Sequence, residues 1–394
     1  MISHRQLFFK HIAQTSDVPL QLEIERAEGI FMYTPDGKQY IDLLAGISVS
    51  NVGHRHPKVL EAVNDQLGKY MHLMVYGEYI QSPQVVFAQN ICNSLPESLN
   101  SVFYVNSGSE ATEGALKLAK RYTGKPKIVG HKNAYHGSTI GALSILGDEY
   151  FKRPFRPLMP AVEFLEYNNN NLLELIDAET AAVIVEPIQA ESGIYLPEDN
   201  YLLRLREKCD EVGALLIFDE VQTGFGRTGK LFAFEHFGVV PDIMLLAKGM
   251  GGGMPIGAFV APRQIMDSFK NNPVLGHITT FGGHPVSCAA GNASLNVIKS
   301  EKLFDRALHG EKIVRENLLH RKIKEIRGKG LLLSVDLGDE QLCQKAMSKI
   351  LEKGIITGDF LFNNTSFSIN PPLIISDEEL LAAIQLIANA LDEI

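Results

Sequence analysis

Three short apolar runs, each ending at one ionisable residue, dominate the pattern of the central part of the chain. The runs are Ala181–Val185, Ala214–Phe218 and Ile243–Ala247. They stop at Glu186, Asp219 and Lys248, respectively. Continuous apolar runs of this length are typical of strands that are buried on both faces of a parallel sheet. The pattern therefore predicts three parallel strands with an ionisable side chain at the carboxyl end of each.

The spacing of these three residues predicts how the strands are connected. Glu186 and Asp219 are 33 positions apart and Asp219 and Lys248 are 29 apart, the span of one strand-helix-strand unit each. Between the first pair, Asp199–Val212 has apolar residues at 202, 205, 209 and 212, which predicts the crossover helix. Ligands bind at the carboxyl edge of open α/β sheets. All three side chains are therefore expected at one ligand-binding edge.

The rest of the pattern predicts further elements on both sides of this centre. A turn at residues 35–38 predicts a hairpin between Ile30–Tyr33 and Gln39–Leu43. Predicted helices are Pro57–Gly68, Ala111–Tyr122 and Glu340–Lys353, predicted strands are Ser101–Val105, Lys127–Gly130 and Leu331–Leu337, and one long amphipathic stretch is Val286–Glu316. The expected fold is α/β, with a large domain whose mainly parallel sheet is flanked by helices. A smaller α+β domain is expected from the N- and C-terminal segments.

The domain boundaries predicted from this pattern divide the chain into three segments. Residues 1–50 form an N-terminal arm and a segment of the small domain, residues 51–285 the large domain, and residues 286–394 the C-terminal small domain. A chain of 394 residues with 45% hydrophobic content can bury one large core or two moderate ones.

Charge and composition exclude several classes of partner. The net charge of -9 and the pI of about 5.8 argue against nucleic-acid and anionic-membrane partners, which require basic surfaces. The N-terminal sequence MISHRQLFFKH has no export signal, and no stretch approaches the roughly 18 apolar residues of a membrane span. We expect a cytoplasmic protein.

The cysteines and histidines do not indicate a metal site. Four scattered cysteines lack a C-x-x-C spacing, so neither a disulfide framework nor a zinc site is expected. His54 and His56 are two positions apart in a loop bounded by glycine and proline, without a third ligand nearby. We therefore expect no metal and treat this loop as the start of the helix at Pro57.

Lys248 is the first candidate for chemistry. An ammonium group is strongly hydrated, so its position at the end of a buried strand, before a run of glycines, is unusual. Burial lowers the pKa of a lysine and makes the amine a usable nucleophile toward an aldehyde. The alternative is a lysine that leaves the sheet and extends into solvent. Position alone leaves both alternatives open.

The segment Asn106-Ser107-Gly108-Ser109-Glu110 lies between a predicted strand and a predicted helix. Ser107 and Glu110 have the spacing of a capping box, which is a purely structural explanation. The same free N–H groups, glycine and two hydroxyls would also form a phosphate cradle at the positive end of a helix. Together with Asp219 and Lys248 downstream, phosphate binding is the favoured interpretation.

The glycine-rich segment Gly224–Gly229 is not a nucleotide site. It fits G-x-G-x-x-G, but five residues separate it from the preceding strand, whereas a dinucleotide motif follows its strand directly. A P-loop would need Ser or Thr where Leu231 stands. We interpret this segment as a loop near the ligand.

Two long motifs resemble those of class III (ornithine/acetylornithine-type) aminotransferases, which are pyridoxal-phosphate enzymes of fold type I. The motifs are AKGMGGGMPIGA and, upstream, LLIFDEVQTGFGRTGKLFAFEH, and the resemblance runs from about Gly29 to Leu373. It implies that Lys248 holds pyridoxal 5'-phosphate as a Schiff base. It also implies that Asp219 pairs with the pyridine nitrogen of the cofactor.

The resemblance implies further cofactor contacts. Tyr135 would stack on one face of the ring, with Val221 on the other and Gln222 near the ring hydroxyl. The threonine at position 280 would reach the phosphate of the other subunit, which implies a homodimer with shared sites. The remaining cofactor-binding candidates are Ser107, Gly108 and Ser109 in the cradle, His136 as a structural or supporting residue, and Glu186.

Substrate-binding candidates come from a loop that lines the active-site entrance in the resembled family. In this chain the loop contains Tyr76 and Glu78, with Tyr79 after them. Packing at a dimer interface explains the same residues equally well, so both alternatives stay open.

The chain departs from the family at two arginine positions. Many relatives carry arginine at the position of Ser138 and at that of Ser368 or a neighbour. Arginine is the natural bidentate clamp for a carboxylate, so this loss argues against acetylornithine and ornithine as substrates. Glu191 matches the glutamate that pairs with the second arginine, and without that partner it could hold a substrate ammonium group.

These observations predict an aminotransferase with ping-pong kinetics that acts on a terminal or non-α amine, such as a diamine or ω-amino acid. Arg153 and Arg156 could supply a replacement clamp, although surface charges explain them better. One alternative is an acetylornithine/ornithine-type enzyme with 2-oxoglutarate as acceptor. Another is an aminomutase or racemase on the same scaffold.

Overall fold

The computed structural model describes residues 3–198 and 200–394, and its centre is a large mixed sheet. In spatial order its strands are Ser101–Val105, Gly257–Ala261, Ile243–Leu246, Leu215–Asp219, Thr180–Val185, Lys127–His131 and Val162–Leu165. Gly257–Ala261 is antiparallel to both of its neighbours, and the other pairs are parallel. The prediction of a mainly parallel sheet is confirmed.

The three predicted apolar runs form adjacent strands at the centre of this sheet. Every residue of these strands is buried, as a strand covered on both faces requires. Val185 pairs with Phe218, and Asp219 pairs with Leu245, so the carboxyl ends of the three adjacent strands lie side by side. The sheet thus brings Glu186, Asp219 and Lys248 to one edge.

Helices cover both faces of the sheet and connect its strands. The crossover helix is Tyr201–Val212, and it ends at Gly213, which has a left-handed φ of 65° that glycine adopts readily. Position 199, where the predicted helix began, lies outside the described residues. The other helices are His4–His11, Ala45–Ser48, Pro57–Leu67, Ser82–Cys92, Gly108–Thr123, Ile140–Ser144, Glu149–Lys152, Arg263–Met266, Pro285–Ser300, Leu303–Asn317, Glu340–Glu352 and Asp377–Asp392.

The long amphipathic stretch 286–316 differs from its prediction as one segment. It forms two helices, Pro285–Ser300 and Leu303–Asn317. Lys302 lies between them with a φ of 49°. A left-handed residue cannot continue a right-handed helix, so the chain changes direction there although the apolar pattern continues.

Two smaller sheets lie outside the central sheet, and the first of them combines N- and C-terminal segments. The first contains Arg26–Glu28, Phe31–Tyr33, Gln39–Asp42 and Ile355–Ile356. The second is antiparallel and contains Glu325–Lys329, Leu332–Asp336, Asn363–Ile369 and Gly358–Phe360. In the first sheet Ile41 pairs in parallel with Ile355, which agrees with a small domain built from both ends. The boundaries at residues 50 and 285 stay predictions.

The loop with two histidines has a structural explanation. His54 Nε2 lies 2.8 Å from Asp42 Oδ2, and His56 is the residue before the first turn of helix Pro57–Leu67. Pro57 occupies the first position of that helix, as predicted.

Among the described helices, none has the length and apolar character needed to cross a membrane.

Glu220 follows the strand Leu215–Asp219 and is fully buried. Its carboxylate accepts hydrogen bonds from the N–H groups of Ala233 and Phe234, at 3.0 and 2.7 Å, and from the Thr223 hydroxyl. The side chain therefore fixes the loop that carries the glycine-rich segment. Burial raises the pKa of Glu220 from 4.5 to about 7.

Protonation of Glu220 is expected to make stability depend on pH. The native state keeps this proton at pH values where the unfolded chain has released it, so stability falls as pH rises from about 4.5 to about 7. The contribution of this group is at most about 3 kcal/mol. Thermal unfolding midpoints of the cofactor-free protein across this range should fall less for Glu220→Gln. Glu207→Gln, at an exposed acid on the crossover helix, should keep the wild-type slope; an unchanged slope in Glu220→Gln contradicts this assignment.

Candidate active site

A cavity of about 480 Å³ opens at the carboxyl edge of the central strands. The residues that line it come from the ends of several strands and from the start of helix Gly108–Thr123. Those that were predicted from the sequence are Ser107, Gly108, Ser109, Tyr135, His136, Glu186, Asp219, Val221, Gln222 and Lys248. The fold thus brings residues from distant parts of the sequence to one place.

Lys248 begins a short 3-10 turn directly after the strand Ile243–Leu246 and Ala247. Its φ is 49°, a left-handed conformation that is uncommon for a side chain larger than glycine. The Nζ atom donates a hydrogen bond to Gln222 Oε1 at 3.1 Å. Burial lowers the pKa of Lys248, while the charges of Glu191, Asp219 and Glu186 act in the opposite direction. The amine is therefore more readily deprotonated, and hence more nucleophilic, than an exposed lysine.

Asp219 is held by two hydrogen bonds. Its Oδ1 accepts from the N–H of Val221 at 3.0 Å, and its Oδ2 lies 2.7 Å from His136 Nδ1. Burial by itself would lower the pKa of His136, but the hydrogen bond and the charge of Asp219 raise it above its usual value. These two contacts fix the Asp219 carboxylate in an orientation that suits the binding of a cationic ring N–H.

Glu186 supports the position of Tyr135. Its Oε1 accepts from the N–H of Tyr135 at 3.2 Å, and its Oε2 accepts from the N–H of Ala190 at 2.9 Å. Burial raises the pKa of Glu186 to about 7. Glu186 is thus bonded to the backbone segment that carries the predicted ring-stacking residue.

The predicted phosphate cradle lies at the start of helix Gly108–Thr123. Ser107 Oγ accepts from the N–H of Glu110 at 3.2 Å, but the Glu110 carboxylate accepts from the N–H of Asn106 instead of that of Ser107. Only half of the predicted capping box is therefore formed. The N–H groups of Gly108 and Ser109 belong to the first turn, where helices have free donors for an anion.

Two glycines keep the space around this cradle open. A Cβ atom at Gly108 would lie 3.1 Å from a Val221 methyl group, and one at Gly137 would lie 2.3 Å from Ser109 Oγ. The second distance is too short for any side chain. Backbone can therefore approach a ligand closely at this point.

Several predicted site residues do not line the cavity in the described part of the chain. They are Tyr76, Glu78, Glu191 and Thr280. Thr280 and Glu78 are exposed. Glu191 Oε2 accepts from the N–H of Leu361 at 3.3 Å; burial raises the pKa of Glu191 and the charge of Lys248 opposes that change. Glu191 is thus close enough to Lys248 to affect it, and the four roles stay predictions.

The two serines at the arginine positions have different surroundings. Ser138 is exposed, and its Oγ lies 3.0 Å from the Tyr135 hydroxyl. Ser368 is 1% exposed within strand Asn363–Ile369, and its Oγ has no hydrogen-bond partner among the described residues. Arg156 forms an ion pair with Glu149 at the surface, with an N–O distance of 2.6 Å. Of the described side chains that line the cavity, only Lys248 carries a basic group other than histidine.

Some cavity residues were missed in the sequence. They are Val49, Asn106, Gly137, Ala247 and the segment 253–256. Asn106 stands next to the predicted cradle, and residues 253–256 follow the glycine run, so both were adjacent to recognised motifs. Val49 had no motif of its own that indicated a site.

The arrangement fits the predicted cofactor, a flat heteroaromatic aldehyde that carries a phosphate group. Free helix N–H groups and two hydroxyls suit the phosphate, the Asp219 carboxylate suits a pyridinium nitrogen, and the partly desolvated amine of Lys248 suits the aldehyde. His136 Nε2 is buried and has no partner in the described structure. This orphaned atom shows that the polar cluster is not complete by itself.

Comparisons with known proteins point in one direction. The family model described as aminotransferase class-III matches residues 12–391. The acetylornithine aminotransferase of Methanopyrus kandleri is 41% identical over 371 residues, covering 92% of each chain. That of Archaeoglobus fulgidus is 40% identical over 385 residues, covering 96% of this chain and 98% of the relative. The ornithine aminotransferase structure from Toxoplasma gondii superimposes with a TM-score of 0.91 at 32% identity, covering 100% of this chain and 95% of that one.

Lys248→Ala is expected to remove the covalent attachment of pyridoxal phosphate. Because the geometry offers no second cavity lysine among the described residues, borohydride should no longer fix the cofactor to the protein. Amino-group transfer should fall by about 10²- to 10⁴-fold. The control is Lys230→Ala, at an exposed lysine beside the glycine-rich loop, which should keep both properties. Undiminished labelling of the Lys248→Ala protein contradicts the assignment.

Proposed function

The chain belongs to the class-III aminotransferases, which use pyridoxal phosphate, and we propose that it transfers the terminal amino group of an acetylornithine-type substrate to an oxo acid. The expected family and the fold of type I are confirmed. The main support for this substrate is that relatives 40–41% identical over nearly the whole chain are named acetylornithine aminotransferase. These names favour the alternative interpretation over the terminal or non-α amine, such as a diamine or ω-amino acid, that the missing arginines first indicated.

Lys248 has the central chemical role in this proposal. When bound, pyridoxal phosphate supplies an electrophilic aldehyde and a ring that withdraws electron density from the substrate carbon. Lys248 would hold the cofactor through its amine. Its Nζ would also serve as general base and general acid for the proton on the reacting substrate carbon.

The other cavity residues hold the ring in position. Asp219, held in place by His136, would bind the protonated ring nitrogen and so maintain the ring as an electron acceptor. Tyr135 and Val221 would hold the ring between them, and Gln222 would bond near the ring hydroxyl. Ser107, Gly108 and Ser109 would bind the phosphate. Each of these roles is supported by the position of the side chain in the cavity lining.

A second candidate is a substrate with a cationic tail, such as a diamine. Two observations favour it: positions 138 and 368 carry serine instead of arginine, and Glu191 lacks an ion-pair partner among the described residues. No described lysine or arginine forms an ion pair with Glu191, whose pKa is raised by burial. When Lys248 is bound to the cofactor, a substrate ammonium group could supply the missing positive charge. Both candidates share a terminal reacting amine and differ at the distal end.

We also propose that the protein works as a cytoplasmic homodimer with shared sites. The exposed position of Thr280 supports this part, because a side chain outside its own cavity is free to contact a partner. The aminomutase or racemase alternative receives no support from the names of the relatives.

A single-turnover screen separates the two candidate substrates. Each amine is added to the holoenzyme without an oxo acid, and loss of the visible absorbance of the lysine-bound cofactor is followed. The proposal expects N-acetylornithine to react at a rate at least about tenfold greater than any diamine. Faster reaction of diamines, together with a loss of that preference in Glu191→Gln, would replace the proposal with the second candidate.

Ser138→Arg tests where the substrate carboxylate lies. A guanidinium group beside Tyr135 could bind a carboxylate through two hydrogen bonds, so the KM for N-acetylornithine should fall by about tenfold. Ser138→Lys, which adds the same charge without the fork geometry, is the control and should have a smaller effect. An unchanged KM for N-acetylornithine in Ser138→Arg would show that the distal carboxylate does not approach this position.

A further inference from the structure

Arg227 is a fully buried arginine that lies in the glycine-rich segment. Its Nη1 donates to the carbonyl oxygens of Leu331 at 2.9 Å and Pro371 at 2.6 Å, and its Nη2 donates to Asn51 Oδ1 at 2.5 Å. These acceptors belong to three segments that are far apart in the sequence. Arg227 therefore joins the glycine-rich loop to the N-terminal region and to the C-terminal sheet.

This burial is costly, because every acceptor of the Arg227 guanidinium is neutral. Among the described residues no carboxylate forms an ion pair with it, and its Nε has no hydrogen-bond partner. Burying a charge without an ionic partner is normally avoided, since hydrogen bonds to neutral groups recover only part of the lost hydration. A hydrophobic side chain would avoid this cost, but it would leave the carbonyl oxygens of Leu331 and Pro371 without these donors and could not orient the Asn51 amide.

Asn51 connects Arg227 to the lysine turn. Because its Oδ1 accepts from Arg227, its Nδ2 is directed to the carbonyl oxygen of Phe225, to which it donates at 2.9 Å. A Cβ atom placed on Gly249 would lie 2.6 Å from the same Nδ2 and 3.3 Å from Phe225 Cβ. The Asn51 amide therefore packs directly against the residue that follows Lys248.

Two residues with left-handed backbone adjoin this amide. Phe225, which accepts its hydrogen bond, has a φ of 57°, and Lys248 has a φ of 49°. Such conformations in residues with large side chains persist only where the surroundings determine them, and they are frequent at active sites. Asn51 is 1% exposed, and the N–H of Leu373 also donates to its carbonyl oxygen at 2.8 Å, so its own position is well fixed.

We propose that Asn51, oriented by Arg227, is a positioning residue that holds the backbone of Lys248 so that its amine is directed into the cofactor cavity. This inference rests on the proposed role of Lys248. Neither Asn51 nor Arg227 touches the cofactor or the substrate in this proposal. They act through Gly249 and Phe225, and the binding energy of the cofactor phosphate does not depend on them.

Asn51→Asp separates the two hydrogen bonds of the amide, one accepted from Arg227 and one donated to Phe225. The new carboxylate keeps an acceptor for Arg227 and forms an ion pair with it, but it cannot donate to the Phe225 carbonyl oxygen, which it repels. The variant should be folded, with a shifted pH midpoint for the visible absorbance of the lysine-bound cofactor. Its kcat should fall by about tenfold to a hundredfold, while KM changes by less than about threefold. Arg227→Lys keeps the positive charge at position 227 but cannot hold three acceptors in one plane. This variant should also shift the pH midpoint of the visible absorbance.

The matched control is Asn370→Ala. Asn370 is 2% exposed and its Oδ1 accepts from the N–H of Leu333 at 3.2 Å, but it has no contact with Gly249. This variant should lose thermal stability and keep the wild-type pH midpoint. Wild-type midpoints in both Asn51→Asp and Arg227→Lys overturn the inference, even if their thermal stability falls. If the visible absorbance of the lysine-bound cofactor survives in the Lys248→Ala variant, the proposed function itself is refuted.

Discussion

The structure depends on the mutual compensation of ionisable groups that are buried at one sheet edge. Lys248, Asp219, Glu186 and His136 would each be costly to bury alone, because a low-dielectric interior disfavours an isolated charge. Placed together, the lysine and the imidazole offset the carboxylates, and backbone N–H groups satisfy much of the remaining bonding capacity. The cavity can therefore be both dry enough to change the reactivity of an amine and polar enough to bind a charged cofactor.

The central sheet and its reactive edge could be predicted from the sequence because they rest on local signals. A strand covered on both faces must be apolar throughout, so Thr180–Val185 and Leu215–Asp219 are visible as continuous runs. Parallel connection then places their ends together without any knowledge of the rest of the fold. The cradle at Ser107–Ser109 was visible for a similar reason, since cap chemistry is set by neighbouring residues. By contrast, Gly257–Ala261 was not predicted, although it is also a short apolar run that is buried throughout, and its antiparallel pairing depends on distant residues.

Contacts between distant positions could not be predicted in this way. His136 bonds to Asp219 across 83 positions, and Arg227 bonds to Asn51 across 176. Nothing in the local sequence of either partner indicates the other, and a buried arginine with neutral acceptors contradicts the usual expectation for its residue type. The substrate is the least predictable feature, since Ser138 and Ser368 show only what is missing. The proposal of an acetylornithine-type substrate rests on relatives 40–41% identical, whereas the two serines indicated a terminal or non-α amine such as a diamine or ω-amino acid.

The pairing of Gln39–Asp42 with Ile355–Ile356 has a consequence for how the chain folds. All strands of the central sheet lie between these two strands in the sequence, so the first small sheet cannot be completed until that intervening chain has left the ribosome. During synthesis, the hairpin of Phe31–Tyr33 and Gln39–Asp42 therefore has an unpaired edge, which is a site for association with other chains. The same order of events means that the strands of the central sheet, all of which precede residue 262, can assemble before the small-sheet strands that begin at Glu325 have been synthesised. Nascent chains are thus expected to depend on chaperones most strongly in the interval between these two steps.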